Sequence, residues 1–221
     1  MKNLYYLSII LIAFSACKKS DLPGDNGCIS QVKRINFGIK SSDSAAAIAL
    51  LVQNGIAHSD LQLSFVAFDT VKTDPYAGIY QNVFTDQFIN GLPVLSGHIW
   101  YQFKDNVLQS TTGTRYILGP SGGGPARSLP QLRELFLNAA AKNNAAVSFR
   151  DSCLVAQFGY YDLNASSGGT PNLVKAWSVT PRNYNAYPQV FFRDDNGATI
   201  LYSGGVVLYD DAARLKQKTI Q

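Results

Sequence analysis

The stretch from Phe84 to Tyr101, FTDQFINGLPVLSGHIWY, constrains the fold of this chain more than any other. It begins with a strand pattern, and Asn90 and Gly91 then predict a tight hairpin turn, because both residues tolerate a positive φ. Pro93 lacks a backbone N–H and so favours a sheet edge or a strand start. Gly97 interrupts the partner strand and predicts a bulge or a close backbone approach. We therefore expect an antiparallel hairpin here, within a larger sheet.

The composition is that of a folded globular protein. Of 221 residues, 46% are hydrophobic and 15% are charged, and the 12 tyrosines and 12 phenylalanines favour β structure. The formal net charge is only +4, and the basic residues are spread along the chain. A nucleic-acid partner is therefore not expected. The length allows one large domain or two small ones.

The N-terminus has the pattern of an exported bacterial lipoprotein. Residues 1–16 are typical of a signal peptide, because Lys2 precedes an apolar segment, 5–14, that is too short to span a bilayer. The residues before Cys17, Phe-Ser-Ala, resemble a lipoprotein box, although Phe14 departs from the usual aliphatic residue. This resemblance implies a lipid on Cys17 that anchors the protein in the bacterial cell envelope. Inner or outer membrane, and periplasmic or surface side, are both left open. The alternative is an ordinary secretory leader with a chance cysteine.

Two further cysteines follow the predicted lipid site. Residues 17–30 are polar and rich in turn formers, which predicts a flexible tether. Cys28 and Cys153 form a possible disulfide, because they are an even pair in an exported protein. Two separate thiols are the alternative. Neither cysteine has the neighbours that a metal site needs.

A Gly- and Pro-rich segment divides the chain. Residues 119–127, GPSGGGPAR, predict a linker between a first domain, 31–118, and a second domain, 128–210. A polar tail, 211–221, follows. In the first domain we expect a helix capped by Ser41 or Ser42 and an antiparallel meander. Its expected strands are 31–40, 61–68, 80–89, 94–103 and 107–112, with 115–118 as a continuation of the last.

The second domain has its own helix and strand patterns. Ser128 is expected to cap a helix with an apolar stripe, and Asp195-Asn196-Gly197 predicts a hairpin turn. The expected strands are 153–163, 173–180, 189–193 and 198–208. Trp100 in the first domain and Trp177 in the second lie in strand patterns, and we expect both to pack in a core or across strands.

Two motifs resemble those of peptidase propeptides. Gln87-Phe88-x-Asn90-Gly91-Leu92-Pro93-Val94-x-x-Gly97 is similar to the signature of the fungalysin/thermolysin propeptide (FTP) domain. Residues 173–179 and 190–201 resemble the PepSY domain, with Asp194 at the acidic position and Asp195 in place of a small residue. Together the resemblances cover residues 35–210, in the order found in propeptides of thermolysin-like zinc metallopeptidases. They imply an α+β fold of two small domains, each an antiparallel sheet packed against a helix.

The chain has no recognisable catalytic motif. A zinc peptidase of this kind needs H-E-x-x-H, whereas His58 and His98 lie forty residues apart and neither precedes a glutamate. Residues 119–123 match the G-x-S-x-G pattern, but no histidine follows Ser121, and a Gly-rich linker explains the match. We therefore expect a protein that is not an enzyme, with no catalytic residue, cofactor or metal.

The resemblance implies a binding function. Propeptides of this class inhibit their peptidase and assist its folding, and no peptidase sequence follows within these 221 residues. We expect a membrane-anchored, non-catalytic, propeptide-like protein that binds and inhibits or chaperones an exported zinc metallopeptidase in trans. Residues 209–221 are a candidate segment for obstructing the peptidase, or else a frayed terminus. The alternative function is a structural or adaptor lipoprotein of the envelope with no peptidase partner.

Overall fold

A computed structural model describes residues 28–117, 119, 123–143, 149–182 and 187–204. Within these residues the fold is mixed α and β, with two helices and two sheets. Neither helix of this described part is long and apolar enough to cross a membrane. The predicted signal peptide, Cys17, Ser121 and the polar tail lie outside the described residues. In chain order the elements are β1 (Ile29–Val32), α1 (Ser41–Gln53), β2 (Leu61–Val71), β3 (Gly78–Ile89), β4 (Leu92–Pro93), β5 (Ile99–Lys104), β6 (Val107–Thr112), α2 (Leu129–Lys142), β7 (Leu154–Asp162), β8 (Leu173–Pro181), β9 (Gln189–Arg193) and β10 (Thr199–Ser203).

The first sheet has the order β2-β3-β5-β6, is antiparallel throughout, and carries α1 on one face. The predicted caps Ser41 and Ser42 are wrong, because both lie inside α1 and Lys40 precedes it. At the other end, Asn54 caps the helix as its side chain donates to Leu50 O (2.9 Å) and Asn106 O. The core between α1 and the sheet contains Ala47, Leu50, Leu51, Val83, Ile99, Tyr101 and Phe103.

A bulge in β2 changes the predicted alternation of that strand. In the sequence, the alternation of Leu61, Leu63, Phe65 and Ala67 predicts that these side chains share one face. The register shifts between Leu63 and Phe65, so this prediction is wrong. Leu63 and Val66 pack against the core, whereas Phe65 is 55% exposed. The extra residue at a bulge reverses which face the following side chains occupy. The bulge therefore places a large aromatic ring on the sheet face away from α1.

The predicted hairpin turn is confirmed, but the strand after it is interrupted. Asn90 and Gly91 both have positive φ, 52° and 78°. β4 ends at Pro93, and regular pairing with β3 resumes only at Ile99, so the predicted strand 94–103 is wrong in its first five residues. Residues 94–98 instead leave the first sheet toward the second one.

The second sheet has the order β1-β7-β8-β9-β10 and carries α2. The predicted cap Ser128 is confirmed: it immediately precedes α2, and its backbone N–H donates to the Gln131 side chain (3.0 Å). The core of this half contains Leu132, Phe136, Ala139, Ala140, Phe149, Leu154, Ala156, Phe158, Trp177, Val179, Val190 and Phe192.

The first strand of the described residues belongs to the second sheet. β1 pairs in parallel with β7, from Ile29 opposite Leu154 to Val32 opposite Gln157, so the prediction of a strand 31–40 in the first domain is wrong. The prediction that each sheet is antiparallel is also wrong for the second sheet, because of this pair. The predicted tether, 17–30, overlaps β1. A disulfide joins Cys28 and Cys153, whose Cα atoms are 4.4 Å apart. Because it closes a separation of 125 residues, the chain-entropy account assigns it about 5 kcal/mol of stability.

Candidate functional site

The hairpin at residues 90–91 is seated on the edge of β7. Beyond β4, the backbone N–H of Leu95 donates to the carbonyl oxygen of Tyr160 (2.6 Å), and Val94 pairs with Tyr160 in parallel. The opposite edge of β7 is paired with β8 along its whole length. The edge of β7 that does not pair with β8 is therefore occupied first by β1, at Leu154–Gln157, and then by Val94 and Leu95. We call this second contact the junction.

Gly159 allows the two backbones to approach at the junction. A Cβ at this position would overlap the carbonyl oxygen of Pro93 and lie 2.9 Å from the Leu95 side chain. Gly97, which the sequence pointed to, has no atom within 4 Å of the corresponding position and no positive φ. The close approach predicted at Gly97 is therefore wrong; the close approach in this region is at Gly159, on β7.

A small apolar cluster fills the junction between the sheets. Ile89, Val94 and Tyr160 are buried, at 7%, 4% and 2% exposed. Gly119, from the predicted linker, lies against Ile89 and the ring of Tyr160. Leu92, Tyr116 and Leu173 complete the cluster from partly buried positions. Each sheet contributes side chains, so separating the sheets would expose apolar surface.

Gln87 organises the polar side of the junction. Its side chain is buried, its Nε2 donates to Asp60 Oδ2 (3.0 Å) and Tyr116 O (2.6 Å), and its Oε1 accepts from Tyr116 N (2.8 Å). The backbone carbonyl of Gln87 accepts from Val94 N (2.8 Å). Arg115 pairs with Asp60 from the solvent side. Gln87 therefore links β3 to the segment after β6, which in turn reaches the second sheet.

That link is completed by a buried carboxylate, Asp162. The hydroxyl of Tyr116 donates to Asp162 Oδ2 (2.9 Å), and Ser96 Oγ accepts from the backbone N–H of Asp162 (3.1 Å). Burial by itself would raise the pKa of Asp162, but the backbone N–H groups of Asn172 and Asn164, together with the Tyr116 hydroxyl, hold the pKa below its usual value. The carboxylate is therefore charged at neutral pH, and its donors come from both sheets.

A second buried carboxylate fixes the end of the predicted linker. Asp194 accepts from the backbone N–H groups of Ala126 (2.9 Å) and Arg127 (3.1 Å) and from Trp177 Nε1 (2.8 Å). Trp177 is 1% exposed. The two pieces of the PepSY-like motif thus meet through Trp177 and Asp194, and both described ends of the linker are bound to the folded part of the chain.

The face of the first sheet opposite α1 carries a row of aromatic rings, which we call the open face. Phe84 stacks on Trp100, with centroids 5.4 Å apart, and Phe65 packs on Phe84 in a T-shaped contact, with centroids 5.6 Å apart. Trp100 Nε1 donates to Asn82 Oδ1 (3.0 Å). A shallow depression of about 330 Å³ lies beside the row, lined by Phe37, Ser64, Phe65, Phe84 and His98.

A histidine–aspartate pair, His98 and Asp86, borders the open face. His98 contacts Asp86, and the hydrogen bond to that carboxylate raises the pKa of His98, partly opposed by burial. The His98 side chain is 59% exposed. Among the described residues, no group of three or more His, Cys, Asp or Glu side chains could hold a metal ion.

Sequence reasoning identified the signature residues but not their roles. Gln87 was recognised only as part of a motif, and Asp162 and Gly159 were not singled out. A glutamine at an inward position of a strand is a signal for a buried polar link, because burial demands hydrogen-bond partners. The chain matches no protein-family model and no curated protein.

Gly159→Ala should weaken the junction. The added methyl group cannot be accommodated beside the Pro93 carbonyl, so we expect the free energy of unfolding to fall by about 1–3 kcal/mol in urea denaturation. Gly97→Ala is the matched control, because its added carbon meets open space, and it should change the stability by less than about 0.5 kcal/mol. Equal stability of the two variants would contradict the close approach.

Asp162→Asn should destabilise the protein in a pH-dependent way. The lowered folded-state pKa of Asp162 contributes stability above the unfolded pKa of about 3.9, and this contribution is lost as the pH falls through the folded value. We expect a loss of about 2 kcal/mol at pH 7 that shrinks toward pH 3, measured by urea denaturation. The control is Glu134→Gln, on the exposed side of α2. A loss that is the same at both pH values would refute the charged carboxylate.

Proposed function

We propose that this protein is a membrane-anchored, non-catalytic, propeptide-like protein that binds an exported zinc metallopeptidase in trans and inhibits it or assists its folding. The observation that carries the proposal is the aromatic row of the open face, in which Phe65 is 55% exposed and Phe84 and Trp100 are partly buried. Tryptophan and other aromatic residues are enriched where proteins bind one another, and a few such residues supply most of the binding energy.

The geometry of the open face suits protein binding. Phe65, Phe84 and Trp100 support one another by ring contacts, so little side-chain freedom is lost when a partner covers them. The strands beneath them are held on the other side by the α1 core. Polar groups of Asn82, Asp86 and His98 surround the row and can orient a partner. This is the arrangement of an apolar contact centre with a polar rim.

The organisation of the chain supports the same proposal. Each sheet has its own helix and its own apolar core, and we infer two small domains joined at the junction: one contains α1 and the first sheet, and the other contains α2 and the second sheet, to which β1 belongs. Their order is the one that the FTP and PepSY resemblances imply. We further propose that the lipid on Cys17 holds both domains at the membrane, so that the open face meets partners in the cell envelope.

The test is a titration of the full-length protein against exported zinc metallopeptidases of the same cell, with peptide cleavage and binding both measured. We expect stoichiometric inhibition, and we expect Trp100→Ala to weaken binding at least about tenfold, the effect of losing an interface hot spot. Phe65→Ser, at a more exposed position, is a second variant that leaves the core intact.

The matched control is Tyr76→Ala. Tyr76 is 68% exposed, lies at the β2–β3 turn and takes no part in the row, so binding should be unchanged. If the peptidases bind but neither variant weakens binding, the open face is not the contact surface. If none of the peptidases binds or is inhibited, the peptidase function is wrong and the alternative, a structural or adaptor lipoprotein, takes its place.

A further inference from the structure

The strand β1 is a shallowly seated occupant of the β7 edge. None of its four residues is fully buried, and Gln31 is exposed. Ile29 packs against the second core from a partly buried position. β1 also contacts α2, forms its ladder with β7, and accepts a hydrogen bond from Arg182 at Ser30 Oγ (2.8 Å). The non-covalent seating of β1 is therefore limited in extent.

The edge that receives β1 does not depend on it. β7 is paired with β8 at every position from Leu154 to Asp162. Leu154 and Ala156 are 0% exposed and belong to the second core. If β1 left, the backbone groups of β7 that face it would remain in place and lose their partners. An ordered edge with free backbone groups is a template for another strand.

The Cys28–Cys153 disulfide and residues 33–40 limit how far β1 can move from the β7 edge. Cys28–Cys153 fastens β1 to the start of β7, and Leu154 N donates to Cys28 O (2.7 Å) beside it. Residues 33–40, between β1 and α1, form neither strand nor helix and are largely exposed. Few contacts hold them, among them Arg34 over the ring of Phe88 and Gln62 donating to Ile35 O. Such a segment can act as a hinge for strand exchange.

We propose that the β7 edge from Leu154 to Gln157 is a strand-binding site whose occupant, once the Cys28–Cys153 disulfide is reduced, becomes the β1 strand of a second copy of this chain. The occupant is specified by the structure itself, because the sequence Ile-Ser-Gln-Val in parallel register already fits this edge. Exchange makes the same contacts between two copies that the single chain makes within itself.

The chemistry of release is thiol–disulfide exchange. A dithiol reductant attacks the disulfide, gives up two electrons and two protons, and becomes a cyclic disulfide, while Cys28 and Cys153 become thiols. On reoxidation with oxidised glutathione, which takes up the two electrons and two protons and becomes two glutathione thiols, the Cys28 sulfur bonds to whichever Cys153 lies beside it. The pairing of the re-formed disulfide therefore shows whether β1 lies on the β7 edge of its own chain or on that of a second copy.

The experiment uses the full-length protein in equal amounts of natural and nitrogen-15-labelled copies. The mixture is reduced with dithiothreitol without denaturant, held at high protein concentration, reoxidised and separated on a non-reducing gel. Peptides linked through Cys28 and Cys153 are then identified by mass spectrometry. In the dimer band we expect about half of these links to join a labelled and an unlabelled peptide, the value for random pairing, and we expect the dimer fraction to rise with concentration.

Two controls separate strand exchange from random disulfide formation. The same mixture without reduction should give no mixed links. Ile29→Asp places a charge where β1 meets the second core, and should lower the yield of mixed links several-fold relative to Gln31→Glu, at an exposed position of the same strand. Absence of mixed links after reduction of the unaltered protein would overturn the proposal, as would equal yields from the two variants.

Discussion

The hydrogen bond from Leu95 N–H to the Tyr160 carbonyl is the contact on which the arrangement of the two sheets depends. It requires the backbones of the hairpin and β7 to approach closely, and only a residue without a side chain permits this at position 159. The Ile89, Val94 and Tyr160 cluster closes around it, and Gln87 and Asp162 satisfy the polar groups that its formation buries. Among the residues that resemble the FTP signature, Asn90 and Gly91 form the hairpin turn, and Gln87, Pro93 and Val94 seat the hairpin.

The junction and the proposed strand-exchange site lie on the same edge of β7. An open sheet edge exposes unpaired N–H and C=O groups and invites pairing with other chains. In this chain two separate segments cover that edge, β1 at its start and Val94–Leu95 further along. The junction segment is backed by a buried cluster and buried hydrogen bonds, whereas β1 has partly buried residues and a disulfide. The two segments that pair with this edge thus differ in how reversibly they bind it.

What could be predicted from the sequence was the local structure. Asn90 and Gly91 specify their turn because a positive φ is a property of the residues themselves, and the stripe of α2 follows from spacing alone. Pairing between distant segments was missed, since β1 carries nothing that distinguishes β7 from β2 as its partner. The bulge before Phe65 also left no signal, yet it decides which face carries the aromatic row. Gln87 and Asp162 have roles defined only by the partners that the fold brings to them.

The most direct test of this account is native-state hydrogen exchange at the amide of Leu95. In an isolated loop this amide would exchange rapidly with solvent, since residues 94–98 belong to no regular strand. If the junction holds the two sheets together, the Leu95 amide is protected to the same degree as the amides of β7, and it exchanges only when the junction opens. Rapid exchange of Leu95 beside a protected β7 would show that the hairpin is not seated on the second sheet, and would contradict the account at its centre.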